Sequence, residues 1–499
     1  MDAEATYRLY EEGKSKRGQW DDTWDEIAYY VLPSKTGFIT EFSPGDRERW
    51  AKRFDTTAGQ ANKTLANHIH MALCSPSQPW FELYYRDHEL NKNDDAKEWI
   101  EDATERMFSA FNESNFNGQI NTLFQNLCAF GTSCLETTFI SRPREPFSLV
   151  FHNIKLSNCV FDIDQHSRVD TVVQEYETTK RQALQMFPDK QVFKDIKSDS
   201  QKVKIIRCTY ENDKWDPKKK GAKFMPYIAK WYYEKKELLV EGFYEFPYMI
   251  PRFDEVDGEQ VYGEGPGILS LADIRSINKA KQLEFRKYEK AIDPPIITTA
   301  GGVIGDIHIE ASGNTQVRDV RQVAVMPGID VGVQYSIYKG DELRDAIRKA
   351  YKIDELLVPE RKCQNPATAT EIQIRYEQMQ KMMGATVGRI EAELLKPLIQ
   401  RVFGIMMRHQ QFKPVPDEAL AAAVDVKYLG PLAKSQLSHD AVAIERALQA
   451  DQVLGAQDPQ AALVLEKEKC ARVLYDRDNV PASVIRSEKD VKKLMEAQQ

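Results

Sequence analysis

The sequence is poor in the features that stabilise secreted or membrane proteins. Its seven cysteines follow no regular spacing, which favours reduced thiols in a cytosolic compartment over a disulfide framework. No apolar run reaches membrane-spanning length, and the opening stretch MDAEATYRLYEEGKSKRGQW carries acids where a secretory signal needs a basic region and an apolar core. We therefore expect a soluble, unprocessed protein with no membrane partner.

Cofactor and metal motifs are also missing. No loop of the form Gly-x-x-x-x-Gly-Lys-Ser/Thr occurs, and YGEGPG at Tyr262–Gly267 lacks the third glycine of a dinucleotide fingerprint, which indicates a structural turn. His68 and His70 lie two apart on a predicted helix and so point to different faces. The stretch DEVDGEQ from Asp254 places Val256 where a calcium loop needs an oxygen ligand. The sequence therefore predicts no cofactor, no metal site and no catalytic residue.

One enzymatic alternative remains open. Pro188 and Asp189, followed by Asp195, Ile196 and Lys197, fit the bare pattern of a metal-dependent nuclease, with two carboxylates and a lysine around a divalent ion. Such enzymes hold the acids on adjacent strands, whereas Asp189 directly follows a predicted helix. A chain with 29% charged residues produces so loose a pattern by chance. The nuclease hypothesis requires magnesium-dependent cleavage that is lost on Asp195→Ala.

Length and composition indicate a globular protein of several domains. The chain has 499 residues, of which 42% are hydrophobic, and contains neither an internal repeat nor a low-complexity tract. Its net charge of -8 disfavours a general adhesive for nucleic acid or membranes, although charge can be organised locally.

Hydrophobic periodicity predicts an α+β fold. Helical patterns cover the first quarter, where one predicted face carries Trp20, Trp24, Ile27 and Val31. Short runs rich in branched and aromatic residues between residues 134 and 257 predict antiparallel strands. One short helix, over 180–187, interrupts them.

The second half contains two predicted helices around a β-rich segment. The helices cover 268–292 and 337–353, and glycine turns punctuate the branched residues of 296–334 between them. The two helices could run side by side in opposite directions, forming a pin with a β tip.

A long helix follows a capping box. Thr368 and Glu371 stand three apart, so the hydroxyl and the carboxylate can each satisfy a free amide of the first turn, and Pro366 prevents an earlier start. The apolar stripe predicts a helix over Ala369–Phe412, about 65 Å long at 1.5 Å per residue. Pro397 lacks an amide donor and should bend this helix one turn earlier.

Both helices of the pin carry rows of cations. At about 100° per residue, four cations of the first helix fall within about 60° of one another: Arg275, Lys279, Arg286 and Lys290. In the second helix, three repeat at four-residue intervals: Arg344, Arg348 and Lys352. A charge row is usually a solvated face, but two rows beside one β tip are equally compatible with contact to nucleic acid.

Six segments, in the same order, resemble the portal proteins of short-tailed double-stranded DNA phages, the head-to-tail connectors. They are WDDTWDEIAYYVLPS, FDTTAGQANKTLANHIHMALCSPSQPWFEL, SNFNGQINTLFQNLCAFGTSCLE, VYGEGPGILSLADIRSINKAKQ, NPATATEI and YLGPLAKSQ. The resemblance runs along nearly the whole chain. It implies a wing of helices and strands over 1–263, stem helices over 264–293 and 337–353, and a small β-rich clip over 294–336. It also implies a tunnel loop over 354–368, a long wing helix over 369–413 and a helical crown over 414–499.

The resemblance also implies the function. About twelve subunits are expected to form a ring at one capsid vertex of the virion, assembled in the host cytoplasm, around a channel for DNA packaging and ejection. Expected partners are the terminase large subunit, tail adaptor and tail proteins, and the major capsid and scaffolding proteins. Duplex DNA would pass without sequence specificity, guided by the stem cations and by Arg361 and Lys362 in the tunnel loop, which Pro366, Thr368 and Glu371 anchor.

A size estimate agrees with this expectation. Twelve helices about 10 Å apart need a circumference of about 120 Å, which leaves a lumen roughly 25 to 30 Å across. A duplex fits through such an opening. Besides the nuclease, a monomeric helical scaffold remains an alternative, and imaging for a ring separates the three.

Overall fold

The computed structural model shows a mixed α and β fold, which confirms the predicted α+β class. It describes residues 1–33, 53–76, 79–87, 90–142, 145–188, 190–194, 198–256, 260–292, 296–298, 323–325, 333–353, 383–416 and 423–428, with 444, 446–448, 451, 470–471 and 474.

Helices pack around an apolar core in the first quarter, as predicted. They are α1 (Ala3–Tyr30), α2 (Thr57–Leu73), α3 (Asp94–Glu113) and α4 (Phe116–Phe130). The Asp2 side chain accepts a hydrogen bond from the Ala5 amide and thereby caps α1. Trp24 and Ile27 are fully buried, and the Trp24 indole donates to the Phe130 carbonyl at 3.0 Å. This bond ties the middle of α1 to the end of α4.

Antiparallel strands follow, as predicted for residues 134–257, whereas one strand, Phe81–Tyr85, lies in the first quarter, where only helices were predicted. They are β1 (Phe81–Tyr85), β2 (Cys134–Arg142), β3 (Glu145–Ile154), β4 (Cys159–Ile163), β5 (Val169–Thr179), β6 (Lys202–Glu211), β7 (Tyr227–Tyr233), β8 (Lys236–Phe243) and β9 (Tyr248–Met249). The order is β4-β5-β6-β7-β8 in one sheet and β3-β2-β9 in another.

Helices cover both faces of the five-stranded sheet. Tyr10 of α1 packs on one face against Val173 and Ile206. The short helices α5 (Lys180–Met186) and α6 (Gln191–Lys194) cover the other face, where Phe193 contacts the core. Alternating side chains of a strand point to opposite faces, so each strand contributes to both layers.

One strand pairing joins distant parts of the chain. Strand β12 (Val424–Tyr428) pairs antiparallel with β1, with Leu83 opposite Val426. The crown over 414–499 was predicted to be helical, and for these five residues that prediction is wrong. The alternating sequence VDVKY suits a strand, and an available edge at β1 decides the outcome.

The helix pair consists of α8 (Leu271–Ile292) and α9 (Val333–Ala350). A single helical turn, α7 (Pro266–Leu269), precedes α8. Ile277 near the start of α8 and Ile347 near the end of α9 both enter the main core. At the opposite end, β10 (Ile296–Thr298) pairs antiparallel with β11 (Val323–Val325). The two helices therefore run in opposite directions with a small ladder beyond them, as the pin prediction requires.

The described part of the long helix contains one widened turn. Helix 383–390 continues through a π turn, Glu391–Leu395, into α10 (Lys396–Arg408). The turn lies just before Pro397, where the sequence predicts a disturbance, since a proline cannot donate to the preceding turn. The helix ends before the predicted Phe412, because Gln410 adopts φ 55 and the Gln411 amide donates to the Met406 carbonyl.

Close backbone contact joins the end of α4 to the YGEGPG turn. Gly131 has φ 76, and a Cβ there would lie 2.2 Å from the Gly263 carbonyl oxygen. A Cβ on Gly267 would lie 2.3 Å from the Ala129 carbonyl oxygen. Only glycine permits the two backbone segments to come this close, which supports the interpretation of YGEGPG as a structural turn.

Buried arginines connect the layers. The Arg207 guanidinium of β6 donates to the Glu136 carboxylate of β2, which links the two larger sheets. Arg401 of α10 donates through Nε to the Thr137 carbonyl at 2.8 Å. Arg252 holds Glu393 of the π turn, with Nε 3.1 Å from Oε1. Each guanidinium is paired because an unpaired buried charge is strongly destabilising.

Candidate functional site: the helix pair

A polar clasp attaches the helix pair to the segment before α2. The side-chain oxygen Oδ1 of Asn278, on α8, accepts from the Phe54 and Asp55 amides at 3.1 and 3.2 Å. Arg344, on α9, donates through Nε and Nη2 to Asp55 Oδ2 at 3.1 and 3.0 Å. Asp55 also accepts from the Thr57 amide at 2.9 Å, near the start of α2. One short segment thus binds both helices.

Electrostatic interactions favour the charged forms within this clasp. Burial disfavours a charged Arg344, but its hydrogen bonds with Asp55 overcome that effect and raise the pKa of Arg344. A hydrogen bond from Lys281, 2.8 Å away, lowers the pKa of Glu284 on the neighbouring surface of α8. Both groups are therefore ionised near neutral pH.

Among the residues that the structure describes, three of the predicted channel cations form ion pairs with carboxylates. Arg275 donates through Nε to Glu26 of α1 at 2.7 Å. Arg344 pairs with Asp341 at 2.9 Å in addition to its clasp partner. The more distant pair, at 3.9 Å, joins Arg348 to Asp345 on the exposed side of α9.

The other cations of the helix pair lie at different points along it. The Lys279 ammonium donates to the Gln282 side chain at 3.3 Å, and Arg286 is exposed. Lys290 lies in the last turn of α8. Lys352 has φ 55, beyond the end of α9, so it does not continue the row of Arg344 and Arg348 along the helix. The second basic row is therefore shorter than the spacing predicts.

The tunnel-loop residues lie outside the described part of the chain. This applies to Arg361 and Lys362 and to the capping group, Pro366, Thr368 and Glu371. The acidic residues of the nuclease pattern, Asp189 and Asp195, and its Lys197 also lie outside it.

Helix α8 also exposes large apolar side chains, which the search for cations overlooked. Phe285, Tyr288 and Ile292 are exposed, and at about 100° per residue they share a sector about 60° wide. Leu283 is also exposed and points to the opposite side of the helix. The apolar pattern of α8 continues past its buried first half, and that continuation was the signal available in the sequence. Exposed apolar groups of this size commonly mark contact surfaces.

The described residues offer neither a metal centre nor a membrane span. No group of His, Cys, Asp and Glu among them is arranged to hold a metal ion. Burial lowers the pKa of both His68 and His70, which favours neutral imidazoles. In the same residues, no helix is long and apolar enough to cross a bilayer.

The structure combines an antiparallel helix pair, a small terminal ladder and a larger body of helices and strands. A family match along the chain accompanies this combination. Residues 3–485 match the family described as bacteriophage head to tail connecting protein, and the chain belongs to this family of portal, or head-tail connector, proteins.

Two relatives carry the same designation. The chain is 24% identical over 503 residues to the portal protein of Salmonella phage epsilon15, an alignment covering 97% of this chain and 88% of the relative. It is 25% identical over 440 residues to the "Probable portal protein" of Bordetella phage BPP-1, covering 85% and 78% respectively.

Proposed function

We propose that about twelve copies of this protein close into a ring at one capsid vertex of a phage, around a channel through which double-stranded DNA is packaged and ejected. The observation that carries the proposal is the match of residues 3–485 to the connector family. The role is structural, without catalysis, and the protein resides in the virion after assembly in the host cytoplasm.

The helix pair serves as the stem of this ring, with 1–263 as wing, 294–336 as clip and 414–499 as crown. A closed ring needs a head-to-tail contact between two different surfaces of each subunit. The opposite exposed faces of α8 meet that requirement, with Leu283 on one side and Phe285, Tyr288 and Ile292 on the other. Burying them between neighbours removes apolar surface from water.

The ion pairs of the helix pair suit a conduit through which DNA slides. Each phosphate that a protein cation neutralises adds salt-dependent affinity, so many simultaneous contacts would hold the duplex. Glu26, Asp55 and Asp345 offset the charges of Arg275, Arg344 and Arg348. Lys279, Arg286, Lys290 and Lys352, with Arg361 and Lys362 of the 354–368 loop, then guide the duplex without gripping it.

The remaining partners follow from the position at the vertex. The clip docks the terminase large subunit during packaging and tail adaptor or tail proteins afterwards. The wing and crown contact the major capsid and scaffolding proteins. The cations of the loop are tested by changing Arg361 and Lys362 to alanine, where unchanged packaging and genome retention would refute their role.

Assembly provides the decisive experiment. Purified protein should give end-on particles with a central hole in negative stain, and a mass about twelve times the 57.3 kDa subunit. Leu283→Asp and Tyr288→Asp should each abolish rings by damaging opposite sides of the contact. The matched control, Leu239→Asp, changes a similarly exposed residue of β8 and should still assemble.

Mixing the two defective variants tests the head-to-tail geometry. Leu283→Asp retains one intact face and Tyr288→Asp retains the other, so their mixture should form dimers but no closed ring. Monodisperse wild-type monomers, or solid particles without a hole, would refute the proposed function and favour the monomeric scaffold.

A further inference from the structure

The loop between β6 and β7, residues 212–226, concentrates positive charge on an acidic protein. It contains five lysines, at positions 214, 218, 219, 220 and 223, against two acids, Asp213 and Asp216. The chain as a whole has a net charge of -8. A local excess of cations of this kind marks a surface for a polyanion.

Hydrogen bonds of Asn212 and of the backbone hold the loop. Asn212 is buried, and its side-chain amide donates to the Lys223 and Met225 carbonyls at 3.0 and 2.7 Å. The side-chain oxygen of Asn212 accepts from the Lys214 amide at 3.1 Å. The Asp216 amide donates to the Phe224 carbonyl at 3.2 Å. The lysine side chains other than Lys219 can therefore be changed without dismantling the loop.

Four of the five lysines are available for a ligand. Lys219 pairs with Asp216 at 3.2 Å and lies over the Phe224 ring, so it braces the loop. The others are exposed, and none forms an ion pair with the carboxylates of the described residues: Lys214, Lys218, Lys220 and Lys223. Arg275, Arg344 and Arg348 of the helix pair, by contrast, all have carboxylate partners.

We propose that this loop, which we name the lysine loop (residues 212–226), binds the phosphate backbone of double-stranded DNA. A duplex carries about one charge per 1.7 Å of its axis, so clustered ammonium groups can contact neighbouring phosphates and release their counterions. The loop lacks arginine, whose planar fork suits bidentate carboxylate pairing, and its lysines act as point charges. This composition favours phosphates over an acidic protein surface.

Trp215 adds an apolar face to the lysine loop. Its side chain is 55% exposed although indole rings are usually well buried. An indole beside ammonium groups can pack on deoxyribose while the lysines contact the adjacent phosphates. The proposed site is thus a second DNA contact, separate from the helix pair, and it rests on the proposed function only for the choice of a duplex as ligand.

The test measures binding of a fluorescent duplex of random sequence to the full-length protein by anisotropy, over a range of salt concentrations. The test variant carries Lys218→Ala, Lys220→Ala and Lys223→Ala. The control variant carries Lys16→Ala, Lys63→Ala and Lys236→Ala, which removes the same charge from exposed positions elsewhere. Poly-glutamate serves as a competing acidic probe.

The lysine-loop variant should bind the duplex at least about ten-fold more weakly near 0.1 M salt, and its logarithmic salt slope should fall by about 2 to 3. The control variant should change less than about threefold. Equal losses in both variants would overturn the proposal, because net charge alone would then explain binding. A loss of poly-glutamate binding with unchanged duplex binding would also overturn it and assign the loop to an acidic protein.

The outcome is independent of the ring experiment. Loop-dependent DNA binding by a protein that forms no ring would refute only the proposed function. A ring whose DNA affinity is the same in the wild type and in the lysine-loop variant would refute only this inference.

Discussion

Replacing Asp55 by asparagine should loosen the attachment of the helix pair. The change removes the charge that binds Arg344 at 3.0 and 3.1 Å but retains an oxygen for the Thr57 amide. The Asp55 side chain is only 6% exposed and that of Arg344 is 29% exposed, so solvent screens the pair weakly. Arg344 keeps its partner Asp341, which limits the damage at the guanidinium.

The magnitude follows from the burial of the pair. Hydrogen bonds to charged groups contribute about 1.5 to 3 kcal/mol, and partial exposure of the guanidinium places this pair near the lower value. A local opening that breaks the clasp should therefore become about ten-fold more frequent. Arg344→Gln should cost at least as much, because it leaves the buried Asp55 carboxylate without its cation.

Hydrogen exchange of the α9 amides measures this effect without requiring two-state unfolding of a large chain. Asp55→Asn and Arg344→Gln together should accelerate exchange far less than the product of their separate effects, since both remove the same interaction. Asp345→Asn is the control, because it breaks only the exposed 3.9 Å pair and should change exchange less than about threefold. Multiplicative effects in the double variant would refute the clasp.

Further predictions concern packing, buried charge and pH. Gly131→Ala should destabilise by about 2 to 4 kcal/mol, because φ 76 and a backbone oxygen 2.2 Å away oppose a Cβ. Gly118→Ala, at an uncrowded helical position, should be neutral or stabilising, and equal melting temperatures for both variants would contradict this contrast. Arg207→Met should cost about 3 to 5 kcal/mol by leaving Glu136 buried and unpaired, and adding Glu136→Leu should restore most of it, as measured by urea unfolding. Hydrogen bonding from the following amide and from neighbouring cations lowers the pKa of Asp425 below its ordinary 3.8. The stabilising effect of the Asp425 carboxylate is therefore present above pH 3.8 and is lost as pH falls through the folded pKa. Protection of the β1 and β12 amides from hydrogen exchange should therefore decline in acid in the wild type but not in Asp425→Asn.

Local sequence patterns were sufficient for elements that depend on nearby residues. The periodicity containing Trp24 and Ile27 predicts α1, and both side chains are buried in the core. The spacing around Pro397 predicts a disturbed helix, and a π turn lies just before it. The missing third glycine of YGEGPG predicts a structural turn, which packs against the end of α4.

Patterns of charge and apolarity predicted the site less completely. The cation rows of the helix pair could be read directly, but their neutralisation by Glu26 and Asp55 depends on residues more than two hundred positions away. Tyr288 belongs to the apolar edge of α8 in the sequence, but its exposure could not be predicted, because an amphipathic stripe does not reveal where burial by the rest of the chain ends. The lysines of the lysine loop are neighbours in the sequence, but the Asn212 hydrogen bonds that hold the loop are seen only in the folded protein.

Most helical and β segments, their proline and glycine boundaries, and membership of the connector family could be predicted from the amino-acid sequence, because these depend on backbone preferences and on the order of motifs. Three features could be known only from the folded protein: the strand of residues 424–428 beside β1, the binding of both helices by Asp55, and the pairing of the arginines. These outcomes require groups far apart in the chain to meet. Their free energies depend on distance and burial in the folded protein, which no local pattern specifies.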